Sequence, residues 1–207
     1  YKEVYKFKDD IFKNVSKNIN LQDKIFTSFL DDDLLRKHIT FLILKDLNQK
    51  TWNEWENIYQ EYSDDLFDKL ITENAELVNF HVLTQYEFFN QWESLKKYAN
   101  DKNVKILGDI PIYVNHDSAD VWLNKKMFEL DETGNMELVS GAVPDSFNIE
   151  GQIWGNALYR WDLHKEDNFR YWKEKLNKSL NLYDYLRIDH FIGFFKYWSI
   201  PLSLIHI

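Results

Sequence analysis

Twice in this sequence a stretch with helical apolar spacing passes through a short polar turn into an apolar run that ends in charge. Phe88, Trp92, Leu95 and Ala99 fall at intervals of four, three and four, which predicts a helix over residues 85–99 with that face buried. The polar "NDKN" ends it, and "VKILGDIPIYV" (residues 104–114) reads as a strand. Its regular pairing should stop near Asp109, because Gly108 and Pro111 interrupt it. Later, "EDNFRYWKEKLNKSLNL" places Phe169, Trp172, Leu176 and Leu180 on one helical face, and "YDYLRID" follows as a second strand. Two helix-to-strand units with apolar strands predict an α/β fold with a parallel sheet.

Residues two apart on a strand share a face. Tyr185, Arg187 and Asp189 therefore point one way, and Leu186, Ile188 and His190 the other; on the earlier strand Leu107 and Asp109 share a face. With the apolar faces packed on helices, Asp109, Arg187 and Asp189 are expected inside a sheet or barrel, at the carboxyl ends of their strands. In (β/α)8 barrels that end carries the active site. An arginine beside Asp189 favours its ionised form, which suits a nucleophile or a stabiliser of positive charge rather than a general acid. Plainer roles stay open: a structural ion pair for Arg187 and Asp189, and a turn carboxylate for Asp109.

Residues 115–165 form a long connection containing Asp, Asn and Gly together with Trp122, Trp154 and Trp161, and loops of that length are usually functional. The first 80 residues read as helices and turns. "DDDLLRKHITFLILKDL" opens with aspartates suited to a helix N-terminus, and "WNEWENIYQEY" is expected to put Trp52, Trp55 and Tyr59 on one helical face. Without an internal repeat or a Pro/Gly/Ser-rich linker, one domain is expected.

Composition narrows the partners. A net charge of −9 with no gathered basic face argues against nucleic acid. No apolar run approaches the roughly 18 residues needed to cross a bilayer, so no membrane partner is expected. The absence of cysteine removes disulfides, thiolate zinc sites and a cysteine nucleophile, and fits a cytoplasmic location. His116 and His190 stand in neither HxH nor HExxH spacing, so no metal or cofactor is expected and structural roles are assigned to both. Aromatic residues make up 17% of the chain; most fill the core, and a subset suits stacking on the apolar faces of sugars.

Three ordered segments, "GDIPIYVNHDSADVW" (residues 108–122), "VPDSFNIEGQIWGNALYRW" (143–161) and "LRIDHFIGFFKYWSIP" (186–201), resemble the 4-α-glucanotransferases, also called amylomaltases or disproportionating enzymes. These are retaining glucan-active (β/α)8 barrels of the α-amylase clan. "QYEFFNQWESLKKYAN" is similar to the family's segment before the first strand, so the likeness spans most of residues 80–201. The resemblance implies that Asp189 is the catalytic nucleophile and Arg187 the residue that positions it. It implies that Asp109 lies at the sugar-binding end of the earlier strand. Asp145 and Phe147 match a loop that folds over bound glucan, and Trp154 and Asn156 match further glucan-facing positions. The implied partners are α-1,4-glucan and maltooligosaccharides. Val143, Ser146 and Ala157 replace the family's usual proline, tyrosine and proline, and Ile192 a usual arginine.

In the family the acid/base glutamate and a third, stabilising aspartate lie on later strands, beyond the position of Pro201. A complete barrel takes about 250 residues. Residues 1–201 are therefore expected to be an incomplete catalytic barrel, mainly helical over residues 1–80, with long βα loops, and inactive alone. The closing "LSLIHI" (residues 202–207) corresponds to one reading frame of a common transposon-end sequencing adapter and is expected to be a sequencing scar, the alternative being a short apolar strand. A non-catalytic α-glucan-binding protein is the alternative function; a metal-dependent barrel hydrolase is a distant third.

Overall fold

The computed structural model describes residues 1–146 and 148–204. The chain divides into two compact units, residues 1–95 and 96–207.

The first unit contains α1 (Lys2–Ser16), α2 (Lys24–Leu30), α3 (Asp33–Asn48), α4 (Asp64–Glu73) and most of α5 (Ala75–Asp101). The aspartate run starts α3 as its chemistry requires: Asp32 Oδ1 accepts from Leu34 N and Leu35 N at 3.1 and 3.2 Å. Ser63 caps α4 in the same way, ahead of Asp64 and Asp65. Ile39, Ile43, Leu44, Trp52, Val78 and Val82 are buried in this unit.

Two expectations fail here. "WNEWENIYQEY" is not one helix but two 3-10 turns, Trp52–Glu54 and Asn57–Tyr59. Side-chain donors capture the carbonyls that a helix would use: Trp55 Nε1 donates to Lys50 O, and Gln60 Nε2 donates to Asn53 O and Trp55 O. Trp52 and Trp55 are buried all the same, while Tyr59 is half-buried. The stripe on α5 is open, with Phe88 and Leu95 exposed. Helical spacing selects a face, but burial needs a surface to cover it; Phe88 instead stacks with Trp92 of its own helix at 6.5 Å.

The second unit is built on β1 (Leu107–Ile110) and β4 (Tyr185–Ile188), which pair in parallel as expected. Leu107 faces Tyr185, and Asp109 faces Arg187. The register is fixed at the strand entrances. Asp184 Oδ2 accepts from Ile106 N at 2.9 Å and Asn100 Nδ2 at 3.0 Å, while the N–H groups of Asp184 and Tyr185 donate to Ile106 O. These bonds, the Ile106 N–H first, hold the Asp184 carboxyl below the usual carboxylate range, with Lys105 adding its charge. Gly108 has no alternative there, because any Cβ would enter the Tyr183 ring.

Between these strands the chain forms α6 (Ala119–Leu123), β2 (Leu138–Ala142), β3 (Gln152–Ile153), α7 (Trp161–Glu166) and α8 (Arg170–Leu182). After β4, β5 (Trp198–Pro201) returns and pairs antiparallel with β2, giving the strand order β3-β2-β5. The long connection thus carries a sheet of its own. The face read on α8 also needs correcting. Phe169 is left-handed (φ 55°) and precedes the helix, Leu180 is exposed, and the buried side chains are Tyr171 and Trp172. Tyr171 Oη donates to Asp120 of α6 at 2.7 Å, and Lys175 lies 3.6 Å from the same carboxylate, which fastens α6 to α8. Of the closing hexapeptide, Leu202–Leu204 form a 3-10 turn rather than a strand; residues 205–207 lie outside the described residues.

Two buried histidines, His81 and His164, have their pKa values lowered from 6.5, chiefly by loss of hydration. For His81 this outweighs Asp46 at 2.8 Å, and for His164 it outweighs the Met127 carbonyl. Unfolding therefore takes up protons below about pH 6.5. The unfolding free energy should fall as the pH drops from there toward the lowered native values, and should be flat above it as far as these groups are concerned. Urea denaturation from pH 5 to 8 checks this: His164→Gln should reduce the slope, and an unchanged slope would remove His164 from the account.

Candidate active site

Parallel register brings three charged side chains to the carboxyl ends of β1 and β4. Arg187 Nε donates to Asp109 Oδ1 at 3.0 Å and its Nη2 to Asp109 Oδ2 at 2.7 Å, while Nη2 also reaches Asp189 Oδ1 at 3.3 Å. Strand alternation alone pairs Arg187 with Asp189. Its two short bonds instead go to Asp109, which sits directly across the ladder where the planar fork of a guanidinium meets both carboxylate oxygens. Asp189, two residues along the same strand direction, receives the third, longer bond. The bonds to Asp109, then the charges of Asp109 and Asp189, raise the Arg187 pKa from its ordinary value.

These groups are not enclosed. The side chains of Arg187, Asp109 and Asp189 are 61%, 55% and 63% exposed. The expected placement inside a sheet or barrel needs strands on both sides, and among the described residues this parallel sheet has two.

Beside the carboxylates lies an aromatic group. Trp154 meets His190 edge-on at 4.9 Å and Tyr113 at 5.7 Å, and its indole N–H donates to Gln152 Oε1 at 2.9 Å. Gly151 and Gly155, with φ of 75° and 73°, bracket that short segment. Strand alternation does not reach His190: the strand ends at Ile188, His190 is left-handed at φ 51°, and its ring packs on Trp154 and Tyr113. Asn156 is engaged with the buried Ser140, its N–H donating to Ser140 Oγ and its carbonyl accepting from Ser140 N. Asp145 Oδ1 accepts from Asn148 N at 2.7 Å in an exposed turn. Phe147 lies outside the described residues. His116 spends Nε2 on Gly134 O at 2.7 Å. No group of three or more His, Asp or Glu side chains among the described residues could hold a metal ion. No helix among them is long and apolar enough to cross a membrane.

Tyr113 and Tyr197 do not stand out in the sequence. Tyr113 is buried and packs on Trp154, His190 and Tyr197, and burial pushes its phenol up to about 12. The signal is present, since Tyr113 stands inside the quoted "GDIPIYV", but a tyrosine between apolar neighbours reads as core filling.

A family model described as 4-alpha-glucanotransferase matches residues 1–204. The chain belongs to the 4-α-glucanotransferase family. It is 42% identical over 205 residues to the 4-alpha-glucanotransferase of Clostridium butyricum, and 34% identical over 203 residues to that of Aquifex aeolicus. Each alignment covers 97% of this chain and 42% of the relative, so the chain spans less than half the length of these 4-α-glucanotransferases. Among solved structures, it matches the amylomaltase of Streptococcus agalactiae in complex with acarbose with a TM-score of 0.85 at 34% identity, over 98% of this chain and 42% of that one. The Corynebacterium glutamicum amylomaltase shares the fold, with a TM-score of 0.71 at 20% identity, over 97% of this chain and 26% of that one.

For this 4-α-glucanotransferase family member, the open Asp109–Arg187 pair should behave as a screened surface interaction. A double-mutant cycle of Asp109→Ala and Arg187→Ala by urea denaturation should give a favourable coupling that shrinks as salt is added. A coupling independent of salt would contradict the exposed geometry.

Proposed function

We propose that this chain carries the nucleophile side of a retaining 4-α-glucanotransferase site within a partial (β/α)8 barrel. The observation that carries the reading is Arg187 standing between two carboxylates at the ends of adjacent parallel strands. Its bidentate bond to Asp109 fixes the guanidinium, and the remaining N–H contact orients Asp189. Asp189 then attacks the anomeric carbon of an α-1,4-glucan. A second carboxylic acid, about 5–5.5 Å away in retaining enzymes, protonates the leaving oxygen. A sugar hydroxyl of a glucose or maltooligosaccharide acceptor completes the transfer in place of water.

Trp154 supplies an apolar ring for the glucan, and the turn at Asp145 lies in the loop that covers it. The resemblance assigns the proton donor and the third carboxylate to later strands of the family barrel. General acid catalysis from that donor is worth about 10²–10⁴-fold. The nucleophile and the glucan-facing groups lie in this chain, and the absence of cysteine agrees with a cytoplasmic setting.

Asp189→Asn should abolish any ladder of longer oligosaccharides that the protein forms from maltotriose, followed by chromatography. A ladder that persists in that variant would overturn the assignment of Asp189 as nucleophile. Titration with maltoheptaose followed by tryptophan fluorescence should show binding, weakened about tenfold in Trp154→Ala, as expected for the loss of ~1.4 kcal/mol of ring burial. Equal affinity in both proteins would remove Trp154 from the glucan face.

A further inference from the structure

Asp189 is followed by a residue in a backbone conformation that side chains rarely adopt. His190 has φ 51°, and such a residue persists only when its surroundings over-determine it. Three contacts do so. Its carbonyl accepts from Gly193 N at 2.9 Å. Its ring packs on Trp154 at 4.9 Å and on Tyr113 at 5.9 Å. The 3-10 turn Phe191–Phe194 then closes on Ile112 and Tyr113 at Gly193, where a side chain would force a neighbour to shift. A Cβ on Gly193 would stand 2.8 Å from Ile112 Cδ1 and 3.3 Å from both His190 Cδ2 and Tyr113 Oη.

Gly193 is buried and is not among the positive-φ glycines, so it serves space rather than backbone freedom. Tyr113 is 8% exposed, and its hydroxyl is buried without a hydrogen-bond partner. The contact of Gly193 with Tyr113 is therefore one of packing and not of hydrogen bonding. On the other side, Asp189 N donates to Ile110 O at 3.0 Å, which keeps its own backbone on the ladder. The change of direction is concentrated at His190.

We propose that Gly193 is a positioning residue for Asp189. The space left by its missing Cβ lets the turn seat on Ile112 and Tyr113, and that seat holds His190 left-handed and Asp189 turned toward Arg187. The importance of this for glucan transfer rests on the assignment of Asp189 as nucleophile; the geometry does not.

The test is read by NMR on the whole chain at neutral pH. The reporters are the Asp189 carboxyl carbon, assigned by its loss in Asp189→Asn, and the Arg187 Nη2–H, which donates to Asp189, with thermal melting recorded alongside. In Gly193→Ala both resonances should move. Adding Ile112→Val, which removes the Cδ1 that the new Cβ would strike, should return them. Unmoved resonances in Gly193→Ala, with or without a fall in melting temperature, would make the glycine merely structural and overturn the proposal, as would a shift that Ile112→Val fails to reverse.

Should Gly193→Ala not fold, a second pair carries the test on Arg187 Nη2–H. His190→Gly keeps the left-handed backbone without strain and should leave the resonance in place, whereas His190→Ala should move it. The same result in both overturns the proposal. No turnover enters the measurement, so a chain that neither binds nor transfers glucan still answers the question, and the two failures are told apart.

Discussion

Pairing Leu107 with Tyr185 in parallel puts Asp109 across from Arg187, and every feature of the candidate site follows from that register. A slip of one residue would send Arg187 to the opposite face from Asp109 and dissolve the bidentate bond. The register is set at the far end of the strands, where Asp184 takes the Ile106 and Asn100 donors and Gly108 makes room for Tyr183. Charge at the carboxyl end is thus aligned by hydrogen bonds and sterics at the amino end.

The long connection between the strands stabilises the same arrangement from outside. Its own strand β2 pairs with β5, which follows the turn after Asp189, so the loop and the chain beyond β4 share one antiparallel sheet. Tyr159 of the loop donates its hydroxyl to Ile112 O, and Tyr197 donates to Tyr159 O at 3.1 Å. Trp154, Tyr113 and His190 therefore meet on a frame tied to both strand ends. Such a frame supports side chains that must hold position while remaining open to a ligand.

Much of the site was legible in the sequence because strand alternation is strict. Arg187 and Asp189 had to share a face, and glycine and proline limited how far the strand around Asp109 could run. Helical stripes were less informative. The one on α5 correctly marked an apolar face and wrongly implied its burial, and the one on α8 began a residue too early because Phe169 is left-handed. The Trp52 segment failed for a local reason, since an indole N–H and a glutamine amide outcompeted helical hydrogen bonds.

By itself the sequence determined the α/β class, the parallel order, the candidate carboxylates and the family resemblance, because periodicity and ordered motifs are properties of the chain. Tertiary structure decided the partners. That Arg187 binds Asp109 more closely than Asp189, that His190 leaves the strand by a left-handed residue, and that Gly193 is there for space all depend on groups far apart in the chain, 78 positions for Arg187 and Asp109. Such contacts are set by register and packing, and no local pattern encodes them.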